Sequence, residues 1–135
     1  MRLIVRGAVF ASLMYACAPA AAEHLFYRHT SFDIVAGRNT YIYKKDQLSV
    51  DCTVSHITAK VETSPKHGKL FVSREPVENG YNKSRPQSKC PYMVSDGISA
   101  RYQSESGYRG KDKVVISVTD KAENKEYTTI YLSVK

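Results

Sequence analysis

The chain has 135 residues, 24% of them charged, with 20 Lys and Arg against 13 Asp and Glu and a formal net charge of +7. That length supplies one modest core and one domain. The basic residues are scattered among acids rather than gathered in a stripe, which argues against nucleic acid and for an acidic protein, polysaccharide or lipid surface as partner.

Residues 1–22, MRLIVRGAVFASLMYACAPAAA, carry Arg2 and Arg6, then a short apolar run from Gly7 to Ala18, then small residues at Ala20 and Ala22. This is the layout of a secretory signal peptide cleaved ahead of Glu23. The run falls short of the roughly 20 apolar residues that a membrane-spanning helix needs, so the mature domain, 23–135, is expected to lack such a helix. Cleavage removes two basic residues and no acid, taking the formal charge from +7 to +5. Cys17 leaves one alternative open, as a lipid-attachment cysteine, although Met14, Tyr15 and Ala16 before it fit the bacterial lipobox poorly.

Beyond Glu23 the patterns are those of β-strands. His24 and His29 flank LFYR, where a free α-amine and a nearby imidazole could hold Cu(II) in a square-planar array of nitrogens. Such spacing arises easily by chance, and no metal site is assigned. In TYIYKKDQLSVDCTVSHITAKVET, Tyr41 alternates with Tyr43, Leu48 with Val50 and Cys52, and Ile57 with Ala59 and Val61, which reads as strand. His56 is out of phase with Ile57 and is expected to face solvent. KLFVSR is a short apolar strand. Val114, Ile116 and Val118 alternate in the next clear strand, and Thr128, Ile130, Leu132 and Val134 in the last, with KAENKE between them as a hairpin connector. No apolar stripe of helical period exceeds two turns.

The stretch from Glu75 to Pro91, EPVENGYNKSRPQSKCP, is expected to be the longest loop, since it carries three prolines and few apolar residues. Cys90 at its far end and Cys52 form an even pair in an exported chain, which predicts a disulfide. A redox role would want a C-x-x-C motif and zinc two further thiols. The pairing would tether the loop to the strand holding Val50 and Cys52. From Gly80 to Pro91, Lys83, Arg85 and Lys89 are unaccompanied by acids and are flanked by Tyr81 and Tyr92, so these five residues form the candidate binding surface.

RYQSESGYRGKDKVVISVTD crowds Gly107, Tyr108, Gly110 and Asp112 ahead of an apolar strand. The glycines suit positive φ in a tight corner, Tyr108 can fold its ring under it, and Asp112 can accept hydrogen bonds from the turn's own N–H groups. Together with Pro65, His67, Gly68 and Leu70 in SPKHGKL, then Thr119 and Asp120, and TTIYLSV at the end, this order resembles the bacterial immunoglobulin-like and cadherin-like repeat domains over roughly Val50 to Lys135.

The resemblance implies an all-β, immunoglobulin-like antiparallel sandwich of about seven strands, with His67 as a turn residue, and the alternation places Val114, Ile116, Val118, Ile130 and Leu132 in its core. The resemblance implies no activity, because such sandwiches host many roles. The D-x-N-D-N clusters of calcium-binding cadherin repeats are missing, and Asp112 and Asp120 alone cannot supply six to eight oxygens. No cofactor is indicated, and no H-E-x-x-H, G-x-S-x-G or Cys–His arrangement accompanies the histidines. The expected function is therefore a non-catalytic secreted or periplasmic binding or structural domain that engages an acidic protein or polysaccharide of the envelope or extracellular space. A small enzyme or enzyme inhibitor with a loop-built site is the alternative, and a concave pocket holding His56 or His67 with an acid would favour it.

Overall fold

Val114, Ile116 and Val118 occupy every second position, with Val115 and Ser117 between them, and a strand turns such a set to one face. In the computed structural model, which describes residues 24–48, 51–78, 90 and 93–135, these three side chains are 0%, 0% and 4% exposed. Ile130 and Leu132 on the neighbouring strand are equally buried. Burying each such side chain contributes about 1.5–3 kcal/mol, enough in sum to fix the strand faces.

Among the described residues the chain forms seven strands and no helix: β1 (Leu25–Ile34), β2 (Thr40–Lys45), β3 (Thr58–Thr63), β4 (Gly68–Glu78), β5 (Val94–Ser104), β6 (Gly110–Thr119) and β7 (Lys125–Val134). They lie in two sheets, ordered β1-β7-β6-β3 and β2-β5-β4. A single apolar cluster joins them, with Ile42, Ile98, Ala100 and Tyr102 from the small sheet meeting Ile34, Val114, Ile116, Ile130, Leu132 and Val134 from the large one. The fold is an all-β sandwich.

Several expectations are corrected. The sandwich is not wholly antiparallel, because β1 runs parallel to β7 from Leu25 opposite Lys125 to Ile34 opposite Val134. Parallel neighbours need a long connection between them, and here the other five strands supply it. The alternation of Tyr41 with Tyr43 is broken by a register shift between them. That bulge turns Ile42, 2% exposed, into the core and leaves Tyr41 42% exposed. The segment with Leu48 and Cys52 is no strand. Leu48 makes an isolated bridge to Val54, and Cys52 sits in the intervening turn at φ 66°, while Val50 lies outside the described residues. Finally, β4 continues through Pro76 to Glu78, so the expected loop starts later than Glu75. Pro76 is tolerated because β4 is an edge strand, where a missing N–H need not interrupt a ladder.

Cys52 and Cys90 are joined, with an S–S distance of 2.14 Å and Cα atoms 5.2 Å apart. Residues 1–22, expected to be a signal peptide, lie outside the described residues, Cys17 among them.

Candidate functional site

Two turns at one pole of the sandwich meet at a single carboxylate. The turn before β4 brings the backbone N–H groups of Lys66 and His67 to Asp112, whose Oδ1 accepts from Lys66 at 2.9 Å and whose Oδ2 accepts from His67 at 2.9 Å. Lys113 N–H donates to Oδ1 at 2.8 Å, and the Tyr102 hydroxyl reaches Oδ2 at 3.0 Å and the His67 carbonyl at 3.2 Å. Asp112 was expected to accept from the N–H groups of its own corner; instead it ties the start of β6 to the SPKHGKL turn.

The glycines in these turns have specific causes. Gly107 and Gly110 have φ of 75° and 140°, which disfavour any side chain. A Cβ on Gly68 would lie 2.6 Å from the Tyr102 ring. The Tyr108 ring stacks on the His67 ring with centroids 4.1 Å apart, and its hydroxyl donates to the Lys111 carbonyl at 2.7 Å.

Burial works to raise the Asp112 pKa, but the N–H groups of Lys66, His67 and Lys113 and the Tyr102 hydroxyl outweigh it, so the carboxyl sits below its ordinary value. Burial first, and the adjoining carboxylate second, hold the Tyr102 phenol in its neutral form. A carboxylate with four donors in place has no lone pair directed at a substrate, and its chemistry is that of a clamp. Tyr102→Phe is expected to cost about 1–2 kcal/mol, the price of leaving buried acceptors under-satisfied. Urea unfolding measures it, and an unchanged midpoint would show that the hydroxyl contributes nothing.

The five residues singled out for binding, Tyr81, Lys83, Arg85, Lys89 and Tyr92, lie outside the described residues. What is described is the anchor of their segment, Cys90 bonded to Cys52. The histidines do not converge. His24, His29 and His56 are exposed, His29 stacks on Tyr131 at 6.3 Å, and His67 is a turn residue. Among the described residues no group of three or more His, Cys, Asp or Glu is placed to hold a metal ion.

Charges elsewhere are partly paired. Glu126 bridges Arg28 at 3.0 Å and Lys45 at 2.9 Å, and Glu62 bridges Lys60 and Lys125 at 3.2 Å each. The Ser117 hydroxyl, Lys125 and Lys60 together bring the Glu62 carboxyl down to about 2. Beside Glu126 lies a shallow, open depression lined by Phe26, Lys45, Ile57, Val118, Asp120, Asn124 and Glu126. Asp120 is already occupied there, accepting from the N–H groups of Ala122 and Asn124.

Three cations lie together on one face of the small sheet. On the outer face of the small sheet, Arg101 lies directly opposite Tyr41 on one side and Phe71 on the other. Its guanidinium carbon is 5.1 Å from the Tyr41 ring centre, and Lys44 Nζ is 4.2 Å from the same ring. No carboxylate pairs with Arg101, Lys44 or Lys69 among the described residues. Sequence reasoning passed over this row because its members are 30 residues apart at the nearest and meet only through strand register.

No protein-family model matches the chain, and no curated protein matches it. Among solved structures it is similar to the solution structure of amebosin, at 15% identity and a TM-score of 0.39 over 84% of this chain and 100% of that one. That likeness is too slight to bear on fold or function.

Proposed function

We propose that the chain is an exported binding and structural domain of immunoglobulin-like or cadherin-like type that engages an acidic surface in the periplasm or extracellular space. The family reading is supported by the way SPKHGKL and GYRGKD lock together through Asp112, and by two facing sheets of three and four strands. Export is supported by the Cys52–Cys90 disulfide. Among the described residues no helix is long and apolar enough to cross a membrane.

The observation that carries the binding role is a set of cations on one face without a carboxylate partner among the described residues. Among the described residues, carboxylates pair with Arg28, Lys45, Lys60, Lys125 and Lys135, whereas ten other Lys and Arg have no ion pair, and Lys44, Lys69 and Arg101 of that set share the outer face of the small sheet. The loop bearing Lys83, Arg85 and Lys89 adds three more cations with no acid between Gly80 and Pro91. Prolines and the adjoining disulfide lower the entropy that this loop loses on docking. No observation favours the enzyme alternative, since His56 is exposed and the Asp112 carboxylate takes the backbone of His67 rather than its imidazole.

Substituting Lys83, Arg85 and Lys89 together by Ser is expected to leave the melting temperature unchanged and to reduce retention on an anionic envelope fraction several-fold. Retention should also weaken as ionic strength rises, because exposed charges act over only about 8 Å at physiological salt. Retention indifferent to both the triple substitution and salt would refute the loop's part in binding.

A further inference from the structure

The row across the small sheet permits a sharper statement, which rests on the acidic-partner reading. The side chains of Ala100 and Tyr102 are fully buried, so Arg101 between them points away from the core. Tyr41, Arg101 and Phe71 stand on three adjacent strands at directly opposed positions and therefore span roughly 10 Å across the sheet. Both aromatics are exposed, Tyr41 by 42% and Phe71 by 45%. Lys44 and Lys69 lie on the same face on either side of the row, opposite Ser99 and Gln103.

Two features set this row apart from an ordinary solvated face. Arg101 Nε is buried without a hydrogen-bond partner, so the guanidinium is partly stripped of water on a side where no protein acceptor compensates. In addition, Lys44 and Arg101 share one aromatic ring, which holds two like charges close together with no acid between them. An incoming carboxylate can bond the terminal nitrogens of the guanidinium as a fork, neutralising the charge that the partly dehydrated group carries while screening the lysine.

The composition also fits a protein partner. Tyr, Phe and Arg at the centre with Lys at the margin is the make-up of protein interface cores and rims.

We propose that the outer face of the β2-β5-β4 sheet, centred on Arg101, docks an acidic protein segment, with a Glu or Asp carboxylate on the guanidinium and apolar neighbours of that segment on Tyr41 and Phe71. The test is titration of the disulfide-bonded protein with a random Glu–Tyr copolymer, poly-glutamate and polygalacturonate at physiological salt. The copolymer is expected to bind tightest. Arg101→Gln should weaken it by about ten-fold or more, and Arg101→Lys should recover only part of the loss, because an ammonium cannot form the fork. Lys44→Ser with Lys69→Ser, both at exposed strand positions, should weaken it about three-fold, and this pair decides the matter should Arg101→Gln fail to fold.

No binding of the copolymer, or binding indifferent to these variants, overturns the proposal. Tighter binding of polygalacturonate overturns the choice of a protein partner. If the Lys83, Arg85 and Lys89 triple variant loses retention while Arg101→Gln does not, the acidic-partner reading stands and this face is excluded. If neither variant matters, both readings fall.

Discussion

Replacing Asp112 by Ala is expected to lower the unfolding free energy by about 4 kcal/mol, because hydrogen bonds to a charged acceptor are worth about 1.5–3 kcal/mol each and do not simply add. The variant strands the N–H groups of Lys66, His67 and Lys113 and the Tyr102 hydroxyl at a position where Asp112 itself is only 7% exposed. Acid should reproduce part of the effect. The folded-state pKa lies below the ordinary carboxylate value of 3.8, so the clamp's contribution is complete above that value and is lost as pH falls through the folded pKa. Asp112→Asn cannot ionise, and its stability should therefore fall less steeply than that of the wild type below about pH 4. Urea midpoints at pH 7 and pH 3 measure both effects. An alanine variant within 1 kcal/mol of wild type, or parallel acid limbs, would show that the two turns are held by something else.

Serine at both Cys52 and Cys90 is expected to cost about 4 kcal/mol in the chain-entropy view, given that 38 positions separate the cysteines. Against a usual domain stability of about 5–15 kcal/mol that is a large share. The strands should survive, since the apolar cluster is built from β1, β2, β5, β6 and β7 with Ile57 and contains neither cysteine. The far-ultraviolet circular dichroism at low temperature should therefore match wild type while the melting temperature falls. Labelling of the native oxidised protein should find no free thiol at either position, and two reactive thiols without denaturant would contradict the bridge.

Legibility in the sequence followed how local each determinant is. The faces of β6 and β7 were readable because Val114, Ile116, Val118, Ile130 and Leu132 alternate without interruption and the period of a strand is two. The same rule misreads β2, where the bulge at Tyr41 and Tyr43 puts two successive residues, Ile42 and Tyr43, toward the core side. A bulge is set by the partner strand rather than by the strand itself. β1 escaped notice because Leu25, Phe26, Tyr27, Arg28 and His29 are all exposed, so its strand character comes from pairing with β7, 100 residues away. Cys52 reads as strand beside Leu48 and Val50, yet it adopts a left-handed turn next to the disulfide.

The candidate site divides along the same line. Gly107, Gly110 and the Tyr108 hydroxyl are legible as a corner because each acts within a few residues of itself, whereas Asp112 and the Tyr108 ring act mainly at a distance. Their connection to Lys66 and His67 spans about 45 positions, and nothing local to either motif announces it. The Tyr41–Arg101–Phe71 row is hidden for the same reason.

The parallel pairing of β1 with β7 has a mechanical consequence. The strands run side by side for ten rungs, so the start of β1 and the end of β7 leave the sandwich at opposite poles. Tension applied through those two ends slides one strand along the other and loads the whole ladder in shear at once. Antiparallel strands pulled at adjacent ends would instead part rung by rung, like a zip. An array or tether that transmits force through such a domain meets resistance from ten positions acting together, with Phe32, Ile34, Leu132 and Val134 adding apolar contact that must be dragged past itself before the strands separate.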